Sequence, residues 1–157
     1  MKCKVLLVGC GWRSQIYRRA IANLPEEFEF CGILMRSDER AKEIEQETGI
    51  RATGDFDTAI GWKPDFAILC VSKPSTKEWL FRFMEQQIPV LCETPPGTTV
   101  AELNEVWEAN VRFNGKVQVA EQYFLKPYYH GAREIVNISA AWLHFHSIPV
   151  RDISLRI

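Results

Sequence analysis

Gly9-Cys10-Gly11-Trp12-Arg13-Ser14 follows the apolar run KVLLVG and opens a segment with helical periodicity. Two glycines at such a junction suit the chemistry of anion binding. Gly9 permits a tight strand-to-helix turn, and Gly11 lets a phosphate approach the backbone. The start of the helix adds free N–H groups and the positive end of a dipole. This is the position of the dinucleotide fingerprint, with Ser14 standing in the slot of its third glycine. Serine costs some closeness between helix and strand, and it can cap the helix. An ordinary tight turn is the alternative. The strand–helix–strand unit around the loop, roughly 30 residues long, favours phosphate binding. Gly9, Gly11, Trp12, Arg13 and Ser14 are therefore candidate cofactor contacts.

Two further stretches carry chemistry. Roughly 20 residues past the loop, a site for NAD usually places an acid that accepts from the ribose hydroxyls. Met35 stands there instead, followed by Arg36 and Ser37. Methionine cannot accept those bonds, whereas Arg36 can pair with a 2′-phosphate and stack on adenine. The alternative is a solvated arginine ahead of a helix. The balance favours NADP over NAD. The second stretch is VLCETPPG, residues 90–97, where an apolar strand runs straight into Glu93. Either Pro95 and Pro96 simply stop the strand, since proline cannot donate to a ladder, or the strand end is a working edge. His144 and His146 would share one face of a strand, but no third ligand is spaced nearby, and no metal is expected.

The elements that must position these groups alternate along the chain. Strands are expected at 4–9, 28–35, 50–53, 66–71, 88–93 and 116–121, from short apolar runs bounded by turn residues. Helices are expected at 14–24, 37–48, 56–60, 75–87 and 100–113. In the first, Ile16, Ala20, Ile21 and Leu24 share a face; in the last, Leu103, Val106, Trp107 and Val111 do. Ser37 is placed to cap the second helix and Gly49 to stop it. Trp79, Leu80, Phe83 and Met84 are expected to face inward from the fourth. Strand–helix alternation with near-continuous apolar strands predicts an α/β fold, a doubly wound parallel sheet of Rossmann type.

Composition removes several classes of function. The 157 residues carry a net charge of −1, with 46% hydrophobic and 25% charged residues, and no basic stripe stands out. That argues against nucleic acid as a partner. No apolar run reaches about 18 residues, so no membrane span is expected. The five cysteines lack CxxC spacing and sit mostly in apolar runs, as reduced, packed thiols of a cytoplasmic protein would.

GCGWRS, GILMRSDERAKEI, KPDFAILCVS and VLCETPP, in that order, together resemble the Gfo/Idh/MocA family of NAD(P)-dependent oxidoreductases. VAEQYFLKPYYHGAREIV is similar to that family's passage into its substrate domain. The resemblance implies a dinucleotide-binding domain over 1–121, and over 122–157 a crossover and the beginning of a truncated substrate and dimerisation domain. It implies that the chain is a piece of a longer protein or a shortened relative. It implies, too, hydride transfer between NADP or NAD and a carbohydrate-like or other small polar substrate. The family's fifth strand commonly ends in Glu-Lys-Pro beside the nicotinamide. Glu93 and Pro95 match, and Thr94 holds the lysine slot, without a pKa suited to acid–base work. By the same likeness Ser72 and Lys73 lie along the cofactor, and Glu121 matches an acid near the nicotinamide. A homo-oligomer formed through the C-terminal segment is a further implication. A non-catalytic dinucleotide-binding module (a sensor, pseudoenzyme or subunit fragment) remains the alternative.

Overall fold

The computed structural model describes residues 2–121. Six parallel strands form one sheet: β1 (Cys3–Val8), β2 (Phe28–Leu34), β3 (Ala52–Thr53), β4 (Phe66–Leu69), β5 (Val90–Cys92) and β6 (Val117–Val119). Their order across the sheet is β3-β2-β1-β4-β5-β6. The helices are α1 (Trp12–Ala22), α2 (Asp38–Thr48), α3 (Phe56–Gly61), α4 (Lys73–Glu85) and α5 (Val100–Arg112). This is the doubly wound Rossmann arrangement that the alternation of elements predicts. It reverses direction at β1, so that chain leaving β1 and chain leaving β4 diverge and open a crevice at their carboxyl ends.

Because successive strand residues face opposite ways, β1 serves two cores. Leu6 and Val8 join one with Phe56, Ala59, Leu80, Phe83, Met84, Val106 and Ala109, from α3, α4 and α5. Val5 and Leu7 join the other with Ile21, Ala41 and Ile44, from α1 and α2. Phe83 is fully buried and meets Phe56 edge-on, ring centres 5.3 Å apart. Ser37 caps α2 by accepting from the Arg40 N–H at 3.4 Å, and Gly49 ends it in the left-handed conformation with φ 69°.

Two helices turn a different face inward from the one their apolar residues suggest. In α1 the buried positions are Ser14 and Ile21, with Tyr17 packed against the same core. Ile16 and Leu24 are exposed, because the helix starts at Trp12 and a polar contact described below fixes its phase. In α5 the slim Val106 and Ala109 face the sheet. Leu103, Trp107 and Val111 lie outside, Trp107 with 66% of its surface exposed. Small inward side chains let the helix lie close to its neighbours, and the larger apolar residues then have no room beneath it.

All the strands but β1 are also shorter than the apolar runs that announce them. β5 stops at Cys92, so Glu93 stands just past the ladder. The chain divides after Ala120, and Glu121 begins the second unit. The expectations placed on residues 122–157, on His144 and His146, and on an oligomer through the C-terminal segment lie outside the described residues.

Candidate functional site

The turn from β1 into α1 is stitched to both neighbouring strands. The Gly9 N–H donates to the carbonyl of Leu34 at the end of β2, 2.9 Å away, and the Cys70 N–H donates to the carbonyl of Val8 at 2.8 Å. Gly9 has φ +83°, and a Cβ there would stand 2.6 Å from the backbone oxygen of Cys70. Only glycine suits such a place. Gly11 differs: nothing lies within 4 Å of a Cβ built on it. It is the N-cap of α1, and no side chain caps that helix end. No side chain therefore competes for this helix end, and the space beside Gly11 is open, which is the fit an approaching phosphate requires, although the Ser14 N–H is turned back to the Gly11 carbonyl at 3.1 Å.

Ser14 does not cap the helix. Buried completely, its hydroxyl donates to the carbonyl of Gly11, which braces the turn from inside. It occupies the third glycine slot because this bond satisfies its only polar group.

A cleft of about 430 Å³ opens beside the loop, lined by Gly9, Gly11, Met35, Arg36, Ser72 and others. Four of the predicted residues, Gly9, Gly11, Arg36 and Ser72, are brought together there. Arg40, Ser75 and Trp79 also line it, and the sequence reading missed them in that role. Arg40 is in the first turn of α2, and Arg36 precedes the Ser37 cap; both line the cleft. Arg40 also pairs with Glu43 across its exposed helix face. Ser72 and Ser75 are linked through their hydroxyls at 3.0 Å.

The other predicted residues stand elsewhere. Trp12 is 67% exposed, with the Arg13 guanidinium 5.3 Å from its ring centre. Ser37 serves as a cap, and Lys73 begins α4 at the surface. Arg13 is turned to Glu93: its Nε and Nη2 donate to Oε2 at 3.1 and 2.9 Å. The Tyr17 hydroxyl donates to Oε1 at 2.5 Å. Burial first, then the bond to Glu93, pushes the Tyr17 phenol well above the ordinary tyrosine range, so it stays a donor. Hydrogen bonding to Glu93 and its charge raise Arg13 in turn. Pro95 follows Thr94 through a cis peptide bond. Glu121 belongs to the second unit.

All five cysteines are free. Burial pushes the Cys70 thiol, on the cleft wall, up to about 12, with Glu93 as the next cause. Among the described residues no group of three His, Cys, Asp or Glu side chains is placed to hold a metal. No described helix is long and apolar enough to cross a membrane. A second hollow of about 410 Å³, at the opposite ends of β4, β5 and β6, contains none of the predicted residues.

Comparison with known proteins settles the family. Residues 3–121 match the Gfo/Idh/MocA model, described as an oxidoreductase family with an NAD-binding Rossmann fold. The chain belongs to that family. It is 26% identical over 141 residues to a Bacillus subtilis (strain 168) protein named "Putative oxidoreductase YteT", across 83% of this chain and 33% of that one. The WlbA dehydrogenase of Bordetella pertussis, solved with NADH and UDP-GlcNAcA, superposes with a TM-score of 0.76 at 18% identity over 88% of this chain and 43% of that one. An oxidoreductase from Thermotoga maritima gives 0.75 at 22% identity, over 89% and 44%. KijD10, a 3-ketoreductase of Actinomadura kijaniata solved with NADP and TDP-benzene, gives 0.68 at 18% identity, over 88% and 43%. The chain thus spans under half the length of these relatives. A nicotinamide dinucleotide is the cofactor class this membership supports.

Proposed function

We propose that this chain is the NADP-preferring dinucleotide domain of an oxidoreductase that moves a hydride to or from a carbohydrate-like or other small polar substrate. On this reading residues 1–121 hold the cofactor, and 122–157 lead toward a substrate domain of the kind its longer relatives have room for. The observation that carries the proposal is the cleft itself. It joins an uncapped helix N-terminus, an open Gly11 and two arginines, Arg36 just past β2 and Arg40 in the first turn of α2.

The residues take distinct parts. Gly11 and the first turn of α1 receive the pyrophosphate. Arg36 and Arg40 face the adenosine ribose, where two guanidinium groups favour a 2′-phosphate. Trp79 and Met35 supply apolar wall for the adenine, and Ser72 offers a hydroxyl to the adjoining ribose. The second nucleoside then runs toward the ends of β4 and β5. When bound, the nicotinamide gives or takes the hydride. The Thr94 hydroxyl neither loses nor gains a proton near neutral pH, so Thr94 does not replace the lysine as an acid–base group. Five free thiols agree with a reducing, cytoplasmic setting.

The test is equilibrium titration with NADPH and NADH. Wild type should prefer NADPH, and Arg36→Ala and Arg40→Ala should each lower that preference by about tenfold. Equal binding of both cofactors, unchanged in the variants, would overturn the NADP assignment.

A further inference from the structure

Glu93 stands at the carboxyl end of β5, its N–H bonded to the carbonyl of Leu69 at the end of β4, 3.3 Å away. Its carboxylate is gripped from across the crevice by one turn of α1. Arg13 and Tyr17 are four residues apart and so share a helix face. One takes Oε2 and the other takes Oε1. Both oxygens accept. Held by the ion pair with Arg13 at 2.9 Å and by the Tyr17 hydroxyl, the carboxylate is an immobilised acceptor and not a substitute for the lysine missing at Thr94. The carboxylate side chain is 16% exposed, against 42% for its partner Arg13. Water therefore screens the positive member of the pair more than the negative one.

Direction follows from the topology. With adenosine at Arg36 and the pyrophosphate at α1, the nicotinamide half extends toward the ends of β4 and β5, where Glu93 is held. The oxidised ring carries a positive charge, and the reduced ring is neutral. A preorganised anion interacts with the first and gains nothing from the second. We propose that the Arg13–Tyr17–Glu93 clamp, which stands outside the cleft lining at the carboxyl end of β5, makes the nicotinamide side of the site favour the oxidised cofactor over the reduced one. The proposal rests on the reading of the cleft as a nicotinamide dinucleotide site. It makes Arg13 a positioning residue for the carboxylate and not a ligand of the pyrophosphate.

The experiment is calorimetric titration of wild type, Glu93→Gln and Tyr17→Phe with NADP⁺, NADPH, NAD⁺ and NADH, and with 2′,5′-ADP, which lacks nicotinamide. The expected result in Glu93→Gln is a fall of about threefold or more in the ratio of oxidised to reduced affinity. Tyr17→Phe should shift the ratio the same way by less, with 2′,5′-ADP affinity unchanged in both. A purely structural role would weaken all ligands together and leave the ratio alone. Should Glu93→Gln fail to fold by circular dichroism, the ratio in Tyr17→Phe decides. A ratio constant within about twofold in every folded variant, in a protein that binds the cofactor, overturns the clamp proposal alone. Absence of any dinucleotide binding to folded wild type overturns the site reading and this proposal with it.

Discussion

Replacing Gly9 by alanine puts a methyl group 2.6 Å from the carbonyl oxygen of Cys70 and 3.1 Å from its carbon, at a residue with φ +83°. The left-handed conformation costs alanine about 1 kcal/mol. The contact is with backbone at the end of β4, so relief requires that strand end to move, at about 1–3 kcal/mol more. Gly9→Ala should therefore lose about 2–4 kcal/mol and lower the urea midpoint by about 1–2 M. Alanine at Gly11 meets nothing within 4 Å, and φ there is an ordinary −77°. Its loss as an N-cap residue is about 0.5 kcal/mol. Its methyl group nonetheless stands where the pyrophosphate must come, so dinucleotide affinity should fall by about tenfold or more. Urea unfolding and calorimetric titration of both variants separate the two effects. A Gly11→Ala protein that binds NADPH as tightly as wild type would refute the placement of the phosphate. A Gly9→Ala protein of unchanged stability would refute the packing argument.

Three further outcomes are expected. Phe83→Ala empties a fully buried position packed on Phe56 and Trp79, and should cost about 3–5 kcal/mol in urea unfolding. Trp107→Lys, on the exposed face of α5, should stay within about 0.5 kcal/mol of wild type; a loss of several kcal/mol would restore the inward face expected from the sequence. Stability should also fall in alkali. Burial pushes the inaccessible thiols of Cys31 and Cys92 up to about 11 and about 12, with Glu93 a further cause for Cys92. Folded pKa values above the unfolded one mean that the thiols' contribution is whole below pH about 8.5 and is lost as pH rises toward the folded values. Each thiol should give up to about 1.4 kcal/mol per pH unit above pH about 9. The double variant Cys31→Ala/Cys92→Ala should flatten that slope, measured as urea midpoints at several pH values; an equal slope in both proteins would contradict the assignment.

Local pattern carried the fold because parallel strands buried on both faces leave apolar runs such as KVLLVG and FAILCV that nothing else explains. The glycine loop was legible for the same reason: the turn it makes requires residue types that stand out. What the pattern could not show is which arc of a helix meets the sheet when two arcs are apolar. Val106 and Ala109 win over Leu103, Trp107 and Val111 through size and closeness of approach, which a hydrophobic count reverses. The phase of α1 was hidden by a long-range contact. Arg13 and Tyr17 meet Glu93 from 80 and 76 residues away, and that pairing, with Ser14 buried beneath the loop, turns Ile16 outward. Arg13 read as a cofactor contact because its position in the loop is visible in sequence and its partner is not. Arg40 did leave a signal, a second arginine four residues after Arg36, but its place in the cleft depends on how α2 starts.

A crystal structure with NADPH bound tests the central claim most directly. The account predicts the pyrophosphate against Gly11 and the first turn of α1, the 2′-phosphate between Arg36 and Arg40, and the nicotinamide toward the ends of β4 and β5 on the side of Glu93. A dinucleotide seated anywhere else, or with its adenosine at the β5 end, would contradict it.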